Sequence, residues 1–586
     1  MQLDENSFKV LQALDTAGSS MPQREMARMT GLSLGTVNKA FSRCVKDGLA
    51  GREGITESGV TALEPYRVEN AVIMAAGLSS RFVPLSYEKP KGMMRIRGEI
   101  LIERQIRQLH EAGITDITLV VGYMKEAFFY LEDLFGVKIV VNEHFAERNN
   151  NSTLHLVRNI LGNTYICSSD DYFTQNPFTR YVYRAYYSTV FFAGPTDEYV
   201  VETGPHGRIT KVGVNGGNDA WCMLGHVYFD RAFSKKFVEI LEAEYDLPET
   251  APKLWEDIFA EHVHELSMAR KEYESGIIFE FDSLEDVRAF DKDFLANVDS
   301  SILDNICNFF SCDREDLSNV VPIKEGITNL SFRFSLREKT YVYRHPGSGT
   351  EAIICRDSEA FSQKVAKDLG VDSTFLYEDS EHGWKLSYFI KDCVPFDYHD
   401  PAHVSAALGI ARKLHTCDVK SEWSFDVYAK AREIVESLED RSYPKPVDFD
   451  SLTQSIDRVH DLVASDADRL CLCHNDMYAP NFLVHASGMD LIDWEYSAMA
   501  DYASDLGTFI CCSDYTPKEA EGVVREYFGR TPTPEEMRHC FGYVAICSYY
   551  WYVWALYKQS EGGQVGSWVY LWYRSAKRYA ELCLSD

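Results

Sequence analysis

Apolar residues recur at helical spacing over residues 7–16 and 22–29, and a third periodic run begins at Leu34 and continues to about Gly48. Between the second and third runs lies Thr30-Gly31-Leu32-Ser33, a tight polar turn with Ser33 placed to cap the third helix. Pro22 stands where a helix can start, so the pattern predicts helices joined by a short Gly-containing turn, a helix-turn-helix. Gly51 to Thr61, with Ile55-Thr56 and Gly59, predicts a small β-wing. At Val68–Met74 the pattern changes to a short, mainly apolar run, as in a buried parallel strand. A helical stretch over 101–112, a strand across 114–123 and strand ends at Val140-Val141-Asn142 and from Tyr165 extend an α/β alternation. From Val320 paired strands take over. Ile323 to Phe334 alternates as a hairpin turning near Gly326, Thr340–Arg344 reads as a strand, and Arg356-Asp-Ser-Glu359 opens a helix. Ser548–Leu556 is an aromatic helix near the carboxyl end.

A chain of 586 residues exceeds one compact core. The changes of pattern, with the polar run Ser311-Cys-Asp-Arg-Glu-Asp beyond a boundary near 296–300, divide it as 1–66, 67–298 and 299–586. There are 59 Lys+Arg against 89 Asp+Glu, a net charge of −30, of which residues 1–66 carry −1. That excludes a protein whose main business is coating nucleic acid and leaves only the near-neutral first segment as a candidate for it. On its third helix Lys39, Arg43 and Lys46 share a face that could track phosphate; the same module reads equally as a docking or dimerisation element. No apolar run reaches the roughly 18–20 residues of a membrane span, and Met1-Gln-Leu-Asp-Glu-Asn lacks a leader pattern, so a cytoplasmic location is expected. The 15 cysteines show no C-x-x-C pair and no zinc spacing with His; Cys471-x-Cys473 reads as buried small hydrophobes.

The strand at 68–74 runs into Ala75-Ala76-Gly77-Leu78-Ser79-Ser80-Arg81, then Glu88-Lys89-Pro90-Lys91. A strand feeding a Gly- and Ala-rich turn lets backbone N–H groups approach a triphosphate, and Arg81 and Lys91 supply charge at the α-phosphate. Together these residues resemble the signature of nucleotidyltransferases, most closely bacterial CTP:phosphocholine cytidylyltransferases, over 67–295. The resemblance implies nucleotide contacts from Ala75, Ala76, Gly77, Ser79, Asn142 and Asn150, and Mg²⁺ on Asp170 and Asp282. It also implies that Tyr172, Tyr199, Tyr228 and Trp255 line the pocket for the alcohol half of the substrate, as an aromatic box suits a quaternary ammonium. Two positions depart from it: Ser79 where a second Gly is common, and Ser168 where an Asp is common.

Cys473-His474-Asn475-Asp476-Met477-Tyr478-Ala479-Pro480-Asn481 fits the kinase catalytic loop H-x-D-x-x-x-x-N, with Asp476 as base and Asn481 on Mg²⁺. Asp493, in Leu491-Ile-Asp-Trp-Glu-Tyr496, stands at the second metal position, and Arg344 with Glu359 would form the ion pair that orients ATP phosphates. The hairpin turn before Asn329 would cover those phosphates. This set resembles choline and ethanolamine kinases over 318–586, which implies a choline cage from Trp551, Trp554 and Tyr570, with Glu495 complementing the cation.

The expected fold is therefore multidomain: an α+β winged helix, an α/β Rossmann-like nucleotidyltransferase, and an α+β kinase-like domain of the choline kinase and aminoglycoside phosphotransferase type. The resemblances imply a bifunctional enzyme that makes phosphocholine from choline and ATP, then CDP-choline and pyrophosphate from phosphocholine and CTP, for decorating surface polymers. The alternatives are an ethanolamine-directed enzyme, a sugar-phosphate nucleotidyltransferase fused to another kinase, and a DNA-binding regulator with enzyme-like sensor domains.

Overall fold

The computed structural model describes residues 3–323, 329–347, 354–441, 443–464, 470–560 and 565–585. The hairpin turn expected around Gly326 lies outside the described residues. The chain divides into two compact units, Met1–Glu315 and Asp316–Asp586. The helix Ser301–Phe310 falls in the first, where Arg314 donates to the carbonyl of Leu295 at 2.7 Å, so residues 299–315 pack with the transferase side rather than opening the kinase-like part.

The first unit begins with helices Glu5–Ala17, Gln23–Thr30 and Leu34–Lys46. Asp4 caps the first through the amides of Asn6 and Ser7, and Ser33 caps the third through Thr36, as its position in the turn predicts. The wing is shorter than the sequence suggests: Ala50–Gly51 pairs with Gly54–Ile55, and Thr56 then caps a helix, Glu57–Leu63. That helix lies so close to the wing that a Cβ on Gly59 would sit 2.1 Å from the Leu49 carbonyl oxygen. Leu3, Phe8 and Leu14 pack with Tyr181 in one core, Tyr66 stacks on Tyr183 at 5.4 Å, and Arg184 pairs with Glu5 at 3.0 Å. The winged helix is thereby seated on the transferase.

The transferase is built on a nine-stranded mixed sheet. Asn70–Ala75 lies at its centre, parallel to Ile117–Val121 on one side and Thr164–Ser168 on the other, with Lys138–Val141 beyond the former. Strand alternation buries both faces: Ala71 and Ile73 enter one core, Val72 the other. Gly217–Phe229 runs antiparallel to Thr164–Ser168 and pairs with Tyr186–Thr196. The carboxyl ends of the parallel strands, where open α/β sheets bind ligands, carry Ala75 and Ser168 to one edge.

The second unit has a five-stranded antiparallel sheet, in the order Ser318–Ile323, Leu330–Leu336, Lys339–His345, Lys385–Tyr388, Phe375–Glu378, with the helix Arg356–Asp368. Next comes a mainly helical part, centred on Tyr502–Cys511 and the long helix Pro534–Ser560. The loop His474–Asn481 leaves the strand Leu470–Cys473, which pairs with Ala498–Asp501, and enters the hairpin Phe482–His485 and Gly488–Leu491.

Candidate active sites

In the transferase, the chain leaves the strand Asn70–Ala75 through a turn in which Ser79 holds φ +51°, ψ +40°. This left-handed conformation costs a non-glycine residue about 1–2 kcal/mol, which accounts for the glycine common in the resembling signature. Lys91 comes after Pro90 in a short 3-10 turn pressed against the sheet: a Cβ on Gly92 would come within 2.9 Å of Ser169. Lys91 Nζ therefore reaches Asp170 Oδ2 at 2.5 Å and Asp282 Oδ1 at 3.5 Å, and Arg81 stands 3.3 Å from the same Asp282 oxygen. Glu280, not singled out from the sequence, joins them. It lies opposite Asp171 across the strands Ile278–Glu280 and Asp171–Phe173, and Asp170, Glu280 and Asp282 each offer an oxygen within 4.8 Å of the others.

The electrostatics are those of a site short of positive charge. Burial alone would raise the Asp170 carboxyl, but Lys91 outweighs it and holds it below its ordinary range. Burial and then the charge of Asp170 push Asp171 and Glu280 well above theirs. Asp170 Oδ1 and both Asp171 oxygens are buried without a hydrogen-bond partner. Oxygen donors converging in this way fit a hard divalent cation. A cavity of about 340 Å³ is lined by Ala75, Gly77, Ser79, Arg81, Lys91, Asp170 and Asp282.

Other candidates lie elsewhere. Ala76 is absent from that lining and its carbonyl accepts from Tyr123. Asn142 is buried and spent on Ser152 and Thr153, and Asn150 is bonded to Glu256 and the Trp255 amide; Asn149 faces the cavity instead. The four aromatics expected to box the alcohol do not gather. Tyr228 is sealed in the core on one face of the sheet and Trp255 in the core on the other. The ring of Tyr172 is covered by the Arg104 guanidinium at 4.6 Å, and Tyr199 donates to Asp257 at 2.8 Å. The strand alternation that buries Tyr186 beside Tyr228 turns Tyr187 to the opposite face, where its hydroxyl donates to Glu256. Burial pushes Glu256 up to about 7.

In the kinase-like unit, Arg344 and Glu359 form the expected ion pair at 2.6 Å. Antiparallel register sets Lys385 opposite Arg344, and Lys385 Nζ reaches the same carboxylate at 3.2 Å, a cation the sequence did not reveal. Against burial, these two cations hold Glu359 down to about 2. Arg344 also lies 3.5 Å from Asp493, and Asn329 donates to Glu495 at 3.2 Å. Asn481 donates to Asp476 Oδ2 at 2.9 Å. Burial, and next the charge of Asp493, lift the Asp476 carboxyl to about 8. Glu495 is lifted well above its ordinary range by burial and Asp493. Asn475 and Asp493 both hold positive φ, +65° and +69°, the kind of backbone strain found where a loop is shaped for function. A cavity of about 280 Å³ is lined by Asn329, Arg344, Lys385, Asn481 and Asp493 together with Ile323, Val342, Leu483 and Ile492. The negative charge of Asp493 bears on both Asp476 and Glu495, and Asn481 and Asp493 offer oxygen donors, the kind a hard divalent cation takes, to the same cavity.

Trp551 and Trp554 meet edge to face at 5.6 Å, and Tyr496, three residues beyond Asp493, meets Trp551 at 5.7 Å. Tyr570 does not join them: it is 60% exposed. Trp572, two positions on and so on another helix face, packs on Trp551 at 5.9 Å in its place.

On the first segment, Arg43 is exposed and pairs at the surface with Asp4 Oδ2 at 2.5 Å. Lys39 and Lys46 are exposed.

Fold and sites define a chain with two transferase centres, one for nucleotidyl and one for phosphoryl groups. Residues 71–209 match the MobA-like NTP transferase domain, 320–550 the choline/ethanolamine kinase family, and 3–50 the winged helix-turn-helix DNA-binding family. The chain is 32% identical over 222 residues to a choline-phosphate cytidylyltransferase of Streptococcus pneumoniae, covering 38% of this chain and 96% of that protein. It is 33% identical over 230 residues to a 2-aminoethylphosphonate cytidylyltransferase of Lancefieldella rimae, covering 39% and 93%. The solved choline kinase LicA from Streptococcus pneumoniae is 23% identical, covers 49% of this chain and 98% of its own, and superposes with a TM-score of 0.42. The chain belongs to the nucleotidyltransferase family of these cytidylyltransferases, joined in one polypeptide to a choline/ethanolamine-kinase-type domain and led by a winged helix-turn-helix. Among the described residues no helix is long and apolar enough to cross a membrane.

Proposed function

We propose that the two centres act in series on one quaternary amino-alcohol: choline and ATP give phosphocholine and ADP, then phosphocholine and CTP give CDP-choline and pyrophosphate, supplying phosphocholine for surface polymers. The observation that carries this reading is the cluster of Trp551, Trp554 and Trp572, joined by Tyr496 to the segment that bears Asp493. A trimethylammonium cannot donate a hydrogen bond and is recognised by ring faces.

In the phosphoryl step Asp476 takes the proton of the choline hydroxyl. Asn481 holds one carboxylate oxygen, Oδ2, which leaves Oδ1 for the alcohol. Arg344, positioned by Glu359 with Lys385, meets the ATP phosphates, and the apolar wall of Ile323, Val342, Leu483 and Ile492 receives the base. In the nucleotidyl step no side-chain base is needed, because the phosphate of phosphocholine is already a nucleophile. Lys91 and Arg81 stabilise charge gathering on the α-phosphate, and the turn Ala75–Ser79 approaches the triphosphate with its backbone. Mg²⁺, held by Asp170 and Asp282 with Glu280 in one centre and by Asn481 and Asp493 in the other, would neutralise phosphate charge when bound. For residues 1–66 the proposed partner is DNA, met through Lys39 and Lys46.

Competition among acceptors tests the substrate. Choline is expected to outrun ethanolamine in the kinase assay, and phosphocholine to outrun 2-aminoethylphosphonate and glucose 1-phosphate in the CTP-dependent assay. Preference for 2-aminoethylphosphonate or a sugar phosphate would replace this reading.

A further inference from the structure

The strand Leu470–Cys473, which delivers the chain into the loop His474–Asn481, carries two cysteines at a spacing of two. Strand period sets both side chains on one face, and the sulfurs lie 3.6 Å apart. His415, the last residue of the helix Pro401–His415, is brought to them: a ring nitrogen and the two sulfurs all lie within 4.8 Å of one another. The His415 side chain is almost wholly buried and Cys473 wholly so, while Cys471 keeps 8% exposure. None of the three takes part in the phosphoryl step above, and sequence spacing could not reveal the histidine.

Each ring nitrogen of His415 is held. The Tyr527 hydroxyl is 2.7 Å from Nδ1 and Asp505 Oδ2 is 2.9 Å from Nε2. Whichever nitrogen turned to a ligand, the other would keep a partner that fixes the ring, as outer-shell bonds do for metal-bound histidines. The sulfur separation is close to the edge of about 3.8 Å that two thiolates span around an ion bound at about 2.3 Å. Thiolate and imidazole together select soft d¹⁰ ions over Mg²⁺. The carbonyl oxygen of Ala500, 3.8 and 3.7 Å from the two sulfurs, stands ready as a further oxygen donor.

We propose that Cys471, Cys473 and His415 form a binding site for a single thiophilic d¹⁰ cation, behind the kinase catalytic loop. Binding a divalent ion releases the two thiol protons to solvent, and the two thiolates balance its charge. The site is tied to the loop, because Asp505 also accepts the amides of His474 at 3.0 Å and Asn475 at 2.6 Å.

The test uses the full chain, reduced and freed of metal by a chelator, with excess Mg²⁺ to fill the oxygen sites. Titration with Co²⁺ is expected to give a thiolate-to-cobalt charge-transfer band that saturates at one equivalent, bleaches on adding Zn²⁺, and is lost in Cys471→Ser. Independently of any variant, Zn²⁺ is expected to slow iodoacetamide labelling of Cys471 about tenfold, while the exposed Cys355 labels unchanged. No charge-transfer band, a band of equal strength in Cys471→Ser, or labelling of Cys471 indifferent to Zn²⁺ would overturn the proposal and leave the trio as a packed thiol pair beside a structural histidine.

Discussion

Single residues decide how far each centre could be read in advance. Trp551 and Trp554 share a helix face and meet, yet Tyr570 points to solvent because Trp572 holds the inward position. Trp572→Ala is therefore expected to raise KM for choline about tenfold, the worth of a partly desolvated cation–π contact, whereas Tyr570→Ala leaves KM and kcat unchanged in the same steady-state assay. Lys91→Ala is expected to lower the nucleotidyl-transfer rate about 10²–10³-fold and leave choline phosphorylation untouched, measured by separate product assays. Asp476 makes a stability claim as well. With its folded carboxyl lifted to about 8, the folded state binds more protons than the unfolded one from the ordinary carboxylate range up to that value, so its contribution to stability falls as pH rises through that window. Asp476→Asn is expected to abolish kinase activity while stabilising the kinase-like unit by about 1–2 kcal/mol at the alkaline end. Melting measured across the window checks the sign, and equal pH slopes for variant and parent would refute it.

At the scale of elements, local signals carried well and distant pairings did not. The catalytic loop was legible because its residues are fixed by contiguous spacing, and Ser33 and the turn before Leu34 because a cap acts within three residues. Glu280 and Lys385 were missed because register across strands, not spacing along the chain, brings them to Asp170 and Glu359. The aromatic box failed for the same reason: one step along a strand separates Tyr186, buried with Tyr228, from Tyr187, which meets Glu256. The wing was overextended since nothing in Gly51–Thr61 announces that Thr56 starts a helix. Gly59 is needed where that helix crosses Leu49, so Gly59→Ala is expected to destabilise the winged helix by about 1–3 kcal/mol. Limited proteolysis should show earlier cleavage within residues 1–66 and no change in the kinase-like unit.

At the scale of the whole molecule, nearly all the net acidic charge lies beyond residue 66, and the carboxylates gathered in the two candidate centres are met locally, by Arg81 and Lys91 in one and Arg344 and Lys385 in the other. The order of domains was legible because each carries its own ordered motif; that residues 299–315 pack with the first unit was not, since helix Ser301–Phe310 bears no functional signature. Two independent centres working in series on one amino-alcohol would join these parts into a single enzyme. The direct measurement is a coupled reaction of choline, ATP, CTP and Mg²⁺ with the purified chain, products read by mass spectrometry, run beside Asp476→Asn. The parent chain is expected to yield phosphocholine and then CDP-choline, and Asp476→Asn to yield neither from choline yet to make CDP-choline from added phosphocholine at the parental rate. Absence of CDP-choline with the parent chain, or loss of both activities in a folded Asp476→Asn protein, would contradict it.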